Sequence, residues 1–318
     1  MTQESLREAL DLLARGLEIR PESAELHATR AVVNCQYLNS MTRGSVPYPE
    51  LLEEAQAWAS KALRLDPGSL MAHYSQGFVD LFSARPAGTM RHLIKAVELN
   101  PNDADALNVL GFVLVIAGHN LDKAREFLKR AAEVDPLNPL NSEVGPSYFA
   151  WFSGDFEGVL DFWKTWRNGE APLHRFYTGY FHAANGDVNQ GIELFDRIAR
   201  DTPEHPAATA GRFLRHALSG EREEALATVT AELEEVAWWD EFTPVLMADG
   251  YALVGENDRA FHWVGRAIEM GMCDPEFLGE HEPFLRRLRG DPGFDSILEK
   301  ACRMSSDLAD EAENLWDS

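Results

Sequence analysis

A period of about 34 residues constrains this chain more than any other feature of its sequence. Four segments share one pattern: a small residue, an apolar residue four positions on, a small residue three later and a proline five beyond that. They are Ala9, Leu13, Gly16, Pro21; Ala55, Ala59, Ala62, Pro67; Thr89, Leu93, Ala96, Pro101; and Ala124, Leu128, Ala131, Pro136. Four more continue it less strictly: Val159, Trp163 and Trp166; Gly191, Phe195, Ile198 and Pro203; Ala225 and Val229; Ala260, Val264 and Ala267. Successive first positions lie 46, 34, 35, 35, 32, 34 and 35 residues apart. A repeat of this length implies stacked copies of one small unit, each burying its neighbour's apolar face.

The spacing inside each unit is helical, because residues four and seven apart share a face and a small residue at the front lets a second helix approach closely. In Glu-Ile-Arg-Pro21, Arg-Leu-Asp-Pro67, Glu-Leu-Asn-Pro101 and Glu-Val-Asp-Pro136 the proline disfavours helical geometry at the residue before it and has no N–H to donate. Each therefore stops a helix. Partner helices lie between, and Gly118, Gly154, Gly186, Gly220 and Gly255 stand where each should turn into the next small-apolar helix. Gly77, Gly111 and Gly179 occupy matching slots inside the partner helices, where helices should cross closely.

These residues resemble the tetratricopeptide repeat, a helix-turn-helix unit that stacks into a right-handed superhelix. The resemblance covers residues 4 to 271 and implies an all-α fold, an α-solenoid of about eight repeats. A more specific resemblance rests on Asp135-Pro-Leu-Asn-Pro-Leu140, on Tyr251-Ala-Leu-Val-Gly-Glu-Asn-Asp-Arg-Ala-Phe-His-Trp263 and on His281-Glu-Pro-Phe-Leu-Arg-Arg-Leu-Arg-Gly-Asp-Pro-Gly-Phe294. These look like the C-terminal repeats of bacterial regulators in which an adenylate cyclase, winged-helix or kinase domain precedes a TolB-like stretch. No such effector domain occurs here, so the resemblance implies lineage and fold without that activity.

The long gap of 46 places an extra loop around Asn39 to Glu50, where Gly44, Pro47 and Pro49 interrupt the helical pattern. The helix from Glu4 to Ile19 matches the second helix of a hairpin, so Leu10, Leu13 and Leu17 need cover, and a homodimer contact is one way to supply it. At the other end, residues 282–289 and 294–304 read as capping helices that complete one superhelical domain over residues 1–304. Ser305 to Ser318 is acidic and reads as a mobile tail, although Leu308, Leu315 and Trp316 offer apolar anchors.

Charge narrows the partner. Lys and Arg number 29 against 52 Asp and Glu, a net charge of −23. Autonomous binding to nucleic acid or an anionic membrane is disfavoured, which leaves a protein or peptide partner. Three distant cysteines without CxxC spacing fit a reducing compartment, and the N-terminus lacks the apolar run of a secretory signal, so the expected location is cytoplasmic. No phosphate-cradling, zinc-binding or nucleophile-elbow motif occurs, and no catalytic residue, metal or cofactor is assigned. The ten histidines include no pair at i, i+4. Paired carboxylates such as Glu53-Glu54, Glu223-Glu224 and Glu234-Glu235 read as solvated helix faces.

Aromatic residues crowd between Tyr148 and Phe181. By helical phase, Tyr74, Phe78, Asn108, Phe112, Tyr148, Trp151, Phe176 and Tyr180 should face the inside of the superhelix. Large rings on a concave surface bury much area at little entropic cost, and these are expected to form a partner-binding groove for an apolar or basic segment. The competing expectation is a small-molecule pocket among Trp151, Trp163, Phe176 and His182.

Overall fold

The computed structural model describes residues 3–38, 48–164, 171–240 and 242–316. The repeat pattern becomes helical hairpins in the expected register. A single helix, α1 (Gln3–Ile19), precedes the pairs α2 (Ala24–Leu38) with α3 (Tyr48–Leu65), α4 (Leu70–Phe82) with α5 (Pro86–Leu99), and α6 (Ala104–Ala117) with α7 (Leu121–Val134). A π-helical turn at Leu140–Val144 leads into α8 (Gly145–Phe152) and α9 (Phe156–Lys164), followed by α10 (Pro172–Ala184) with α11 (Val188–Asp201). Then come α12 (Pro206–Leu218), α13 (Arg222–Thr228), α14 (Ala231–Trp239), and α15 (Thr243–Leu253) with α16 (Asn257–Glu269). The chain closes with a π turn at Phe277–His281, a 3-10 turn at Phe284–Leu288 and α17 (Pro292–Trp316). Among the described residues there is no strand, and the architecture is an all-α solenoid of tandem helix pairs.

The sequence signals act where expected. Asn100 and Asp135, each just ahead of a proline, leave helical geometry at φ −143°, ψ 96° and φ −129°, ψ 73°, ending α5 and α7. The five turn glycines all adopt positive φ. At Gly118 the need is double: φ is 71°, and a Cβ would stand 2.7 Å from the Asp274 side chain. Gly111 marks the α6–α7 crossing, where a Cβ would lie 2.6 Å from Leu128 Cγ. In the α4–α5 turn the same left-handed position is filled by Ala84, at φ 53°.

The structure departs from the sequence reading in four places. Residues 39–47 of the loop expected at 39–50 and Trp166 of the fifth unit lie outside the described residues, while Tyr48 to Glu50 open α3. The second helix of the sixth hairpin breaks, because the β-branched run Thr228-Val229-Thr230 turns extended at Val229 (ψ 113°) and Thr230 Oγ starts α14 afresh by accepting from Leu233 N at 3.2 Å. The expected cap at 282–289 is only a 3-10 turn, confined between Pro283 and Gly290 (φ 81°). The mobile tail expected from 305 is instead the second half of α17, where Ser305, Leu308 and Ala312 are buried against the solenoid. Its apolar residues at 301, 308 and 312 share a face that continues the core, which is why the helix does not stop at 304.

The C-terminal segment does more than end the stack. The N–H groups of Cys273 and Asp274 both donate to Ile116 O, at 2.9 and 3.1 Å, and Ser305 Oγ donates to Ala117 O at 2.6 Å. These acceptors are carbonyls of the last turn of α6, which lack partners inside their own helix. Arg91 of α5 pairs with Glu311 at 2.7 Å, and the Lys123 ammonium lies 3.3 Å from the centre of the Trp316 ring. The end of the array is thus fastened back onto its second and third helix pairs, and one continuous core runs from Val32 to Ala312.

Candidate functional site

The structure packs the aromatic residues expected along the groove into or against the core, with Phe78 and Tyr148 half-buried. Tyr74 stacks on Phe78 at 5.8 Å, and Phe78 meets Phe82 edge-on at 5.4 Å. Phe112 and Tyr148 touch at 4.7 Å between centroids. Both reach Phe242, at 5.4 and 6.4 Å, and Trp151 stacks on the same ring at 5.0 Å. Phe242 comes from the start of α15, so this chain supplies the side chain that fills its own groove. Three residues earlier, Trp239 stacks on Tyr48 at 5.9 Å, tying the end of α14 to the first hairpin.

The remaining expected residues serve other packing roles. Asn108 Nδ2 donates to Leu140 O at 2.9 Å and holds the π turn before α8. Phe176 is fully buried against Phe195 of α11, inside a hairpin rather than along the interior. Tyr180 meets Phe284 of the 3-10 turn at 5.6 Å. Of the eight residues expected along the groove, Tyr74, Asn108, Phe112, Trp151, Phe176 and Tyr180 are buried and Phe78 and Tyr148 half-buried, with Phe242 and Phe284 packed over part of that surface. The small-molecule pocket does not assemble, since Trp151 and Trp163 both pack on Phe181 and Tyr177, while His182 faces Asp187 at 3.7 Å.

One buried polar cluster sits at this seal. The Tyr180 hydroxyl lies 2.8 Å from Glu282 Oε2 and 3.0 Å from Asp249 Oδ2, with all three side chains essentially inaccessible. A phenol has one proton to donate, so the second carboxyl must donate to the phenol oxygen and carry a proton itself. Burial, then the neighbouring carboxylate, hold the Asp249 carboxyl well above its ordinary range, and burial pushes Glu282 up to about 7.

An open cleft of about 560 Å³ lies outside the core, between α14 and α16. The restart at Thr230 sets its first wall, on which Ala231, Glu234, Glu235 and Trp238 follow the i, i+3, i+4, i+7 spacing of one helix face. Asp258, Arg259 and His262 of α16 form the opposite wall, over a buried floor of Tyr251 and Trp263. Trp238 is 37% exposed yet firmly placed. The Arg266 guanidinium lies 4.3 Å from its ring centre and donates to Trp238 O from Nε and Nη2 at 2.8 and 2.6 Å, which caps α14. His262 stacks beside the same ring at 6.0 Å.

The sequence reading passed over this cleft. In the sequence Glu234 and Glu235 read as a solvated face; the signal for a cleft there is Trp238, spaced to share that face. Among the described residues, no group of three or more His, Cys, Asp or Glu side chains is placed to hold a metal, and no helix is long and apolar enough to cross a membrane.

No protein-family model matches the chain, and no curated protein matches it significantly. Solved structures do. The APC/C hetero-tetramer Cut9–Hcn1 is similar at 15% identity and a TM-score of 0.50, over 96% of this chain and 59% of that one. Yeast Tom70 is similar at 17% identity and a TM-score of 0.45, over 93% of this chain and 62% of that one. A tetratricopeptide repeat protein from Parabacteroides merdae follows at 14% and 0.34, over 93% and 92%. The chain thus spans somewhat less than two thirds of the first two. Together with the helix pairs and their period, the likeness to Cut9–Hcn1 gives the fold: a tetratricopeptide-like α-solenoid.

Proposed function

We propose that this chain is a non-catalytic protein-interaction module, and that it recognises a segment of a protein partner at the α14–α16 cleft. The observation that carries the reading is Trp238: a large ring, exposed in the free chain and held in one position by Arg266 and His262, at the mouth of a cleft with a solid aromatic floor. Pre-placed tryptophans are typical energetic anchors of interfaces, because little conformational freedom is left to lose on binding. The net charge of −23 favours a protein over a phosphate-bearing partner. Cut9, whose fold is similar, is itself found in a hetero-tetramer with Hcn1. Docking on the inward rings would require Phe242 and the C-terminal segment to leave.

The test places a photo-cross-linking residue at Ala231, exposed at the cleft edge, and for comparison at Glu133 on the distant face of α7. In extract of the source organism, a defined partner should cross-link from 231 and not from 133. Failure to capture any protein from 231 would remove the cleft from consideration.

A further inference from the structure

We propose that the α14–α16 cleft receives an arginine or lysine side chain from a basic segment of its partner. This rests on the reading of the cleft as a docking site and adds the chemistry of what docks. Glu234 and Glu235 on α14 face Asp258 on α16, and the cation between the walls, Arg259, is shared with Glu256 outside the cleft at 4.0 Å. Carboxylates outnumber cations in the cleft, on a molecule whose overall field is strongly negative. That field repels acidic or phosphorylated segments and accelerates the approach of basic ones.

The rings select the same class of group. Arg259 already rests over the Tyr251 ring at 5.4 Å, and Arg266 lies by Trp238 at 4.3 Å. The molecule therefore shows twice, with its own side chains, that these aromatic surfaces accept a guanidinium. A cation held by both a ring and a nearby carboxylate gains from each: the quadrupole attracts it at close range and the carboxylate neutralises it. Exposed carboxylates alone give little affinity in salt, so Trp238 is what should convert general attraction into a localised site. The volume of about 560 Å³ is in the range of ligand clefts and accommodates more than one side chain of a segment.

The experiment measures anisotropy of three fluorescein-labelled peptides binding to the full chain at physiological salt: one alternating arginine with glycine, one with citrulline replacing arginine, and one with glutamate. The arginine peptide should bind saturably with one site per chain, and the other two should not. Trp238→Ala and the pair Glu234→Gln/Glu235→Gln should each weaken it about tenfold, whereas Glu8→Gln/Asp11→Asn on exposed α1 should leave it unchanged. Circular dichroism establishes that each variant is folded, and Trp238→Phe, which keeps a ring, should recover much of the lost affinity. Unsaturable binding, equal loss in the α1 pair, or full affinity in Trp238→Ala would overturn the inference. Equal binding of the citrulline peptide would overturn the requirement for charge while leaving the docking reading intact. That reading fails separately, if nothing cross-links from Ala231.

Discussion

The Tyr180 hydroxyl and the Glu282 carboxylate meet at 2.8 Å in the sealed interior, joining α10 to the C-terminal segment. Asp249 of α15 approaches the same hydroxyl at 3.0 Å, and its Oδ1 makes no hydrogen bond. The triad stays neutral enough to be buried only while the carboxyl pair keeps a proton.

Stability should therefore fall as pH rises. Both carboxyls have folded-state pKa values above their unfolded ones, so their contribution is fully present below about pH 4 and is lost as pH climbs through 7, where Glu282 ionises, and beyond, where Asp249 does. Melting temperatures between pH 5 and 9 should decline, and Glu282→Gln, which keeps an acceptor for the phenol and cannot ionise, should flatten that decline. An equally steep profile in Glu282→Gln would show that the triad does not set it.

Tyr180→Phe removes the hydroxyl that donates to one carboxyl and accepts from the other. Leaving buried acceptors unsatisfied costs about 1 to 3 kcal/mol, and chemical denaturation at pH 6 should show a loss of that size. A neutral substitution would mean that water reaches the cluster.

How much of this was legible in the sequence follows from the range of each interaction. Proline stops, turn glycines and the α6–α7 crossing at Gly111 are decided within one hairpin, so a 34-residue pattern displays them. Helical phase puts Phe112, Tyr148 and Trp151 in one register, but it carries no information about which distant segment arrives to meet them, and Phe242 comes from several repeats away. The break at Val229 was hidden because a β-branched run only weakens a helix, and tertiary packing decides whether it gives way. The cleft needed that break, together with α16, before Glu234, Glu235 and Trp238 had anything to face.

Ala84 holds a left-handed backbone where the turns of the later hairpins use glycine. Left-handed geometry costs an L residue about 1 to 2 kcal/mol, partly offset by the greater freedom of glycine in the unfolded chain. Ala84→Gly should thus raise stability by about 0.5 to 1 kcal/mol, measured by urea unfolding. Gly111→Ala should do the reverse: with its Cβ 2.6 Å from Leu128 Cγ, overpacking should cost about 1 to 3 kcal/mol.

The second half of α17 is integral to the solenoid. Leu308 is 3% exposed, so Leu308→Ala should cost about 2 to 5 kcal/mol. Amide exchange at residues 305–312 should be slow in the unmodified chain and accelerate in the variant. Fast exchange in the unmodified chain would mean that the helix is not docked.

The most direct test of a solenoid closed on its own aromatics with one open anchor is fluorine NMR on the chain labelled with 5-fluorotryptophan at its eight tryptophans, assigned by single Trp→Phe variants. With a soluble paramagnetic agent, the Trp238 resonance should broaden while Trp151 and Trp263 stay sharp, and the arginine peptide should shift Trp238 without moving Trp151. Broadening of Trp151 to the same extent as Trp238 would show that the interior is an open groove and contradict the account.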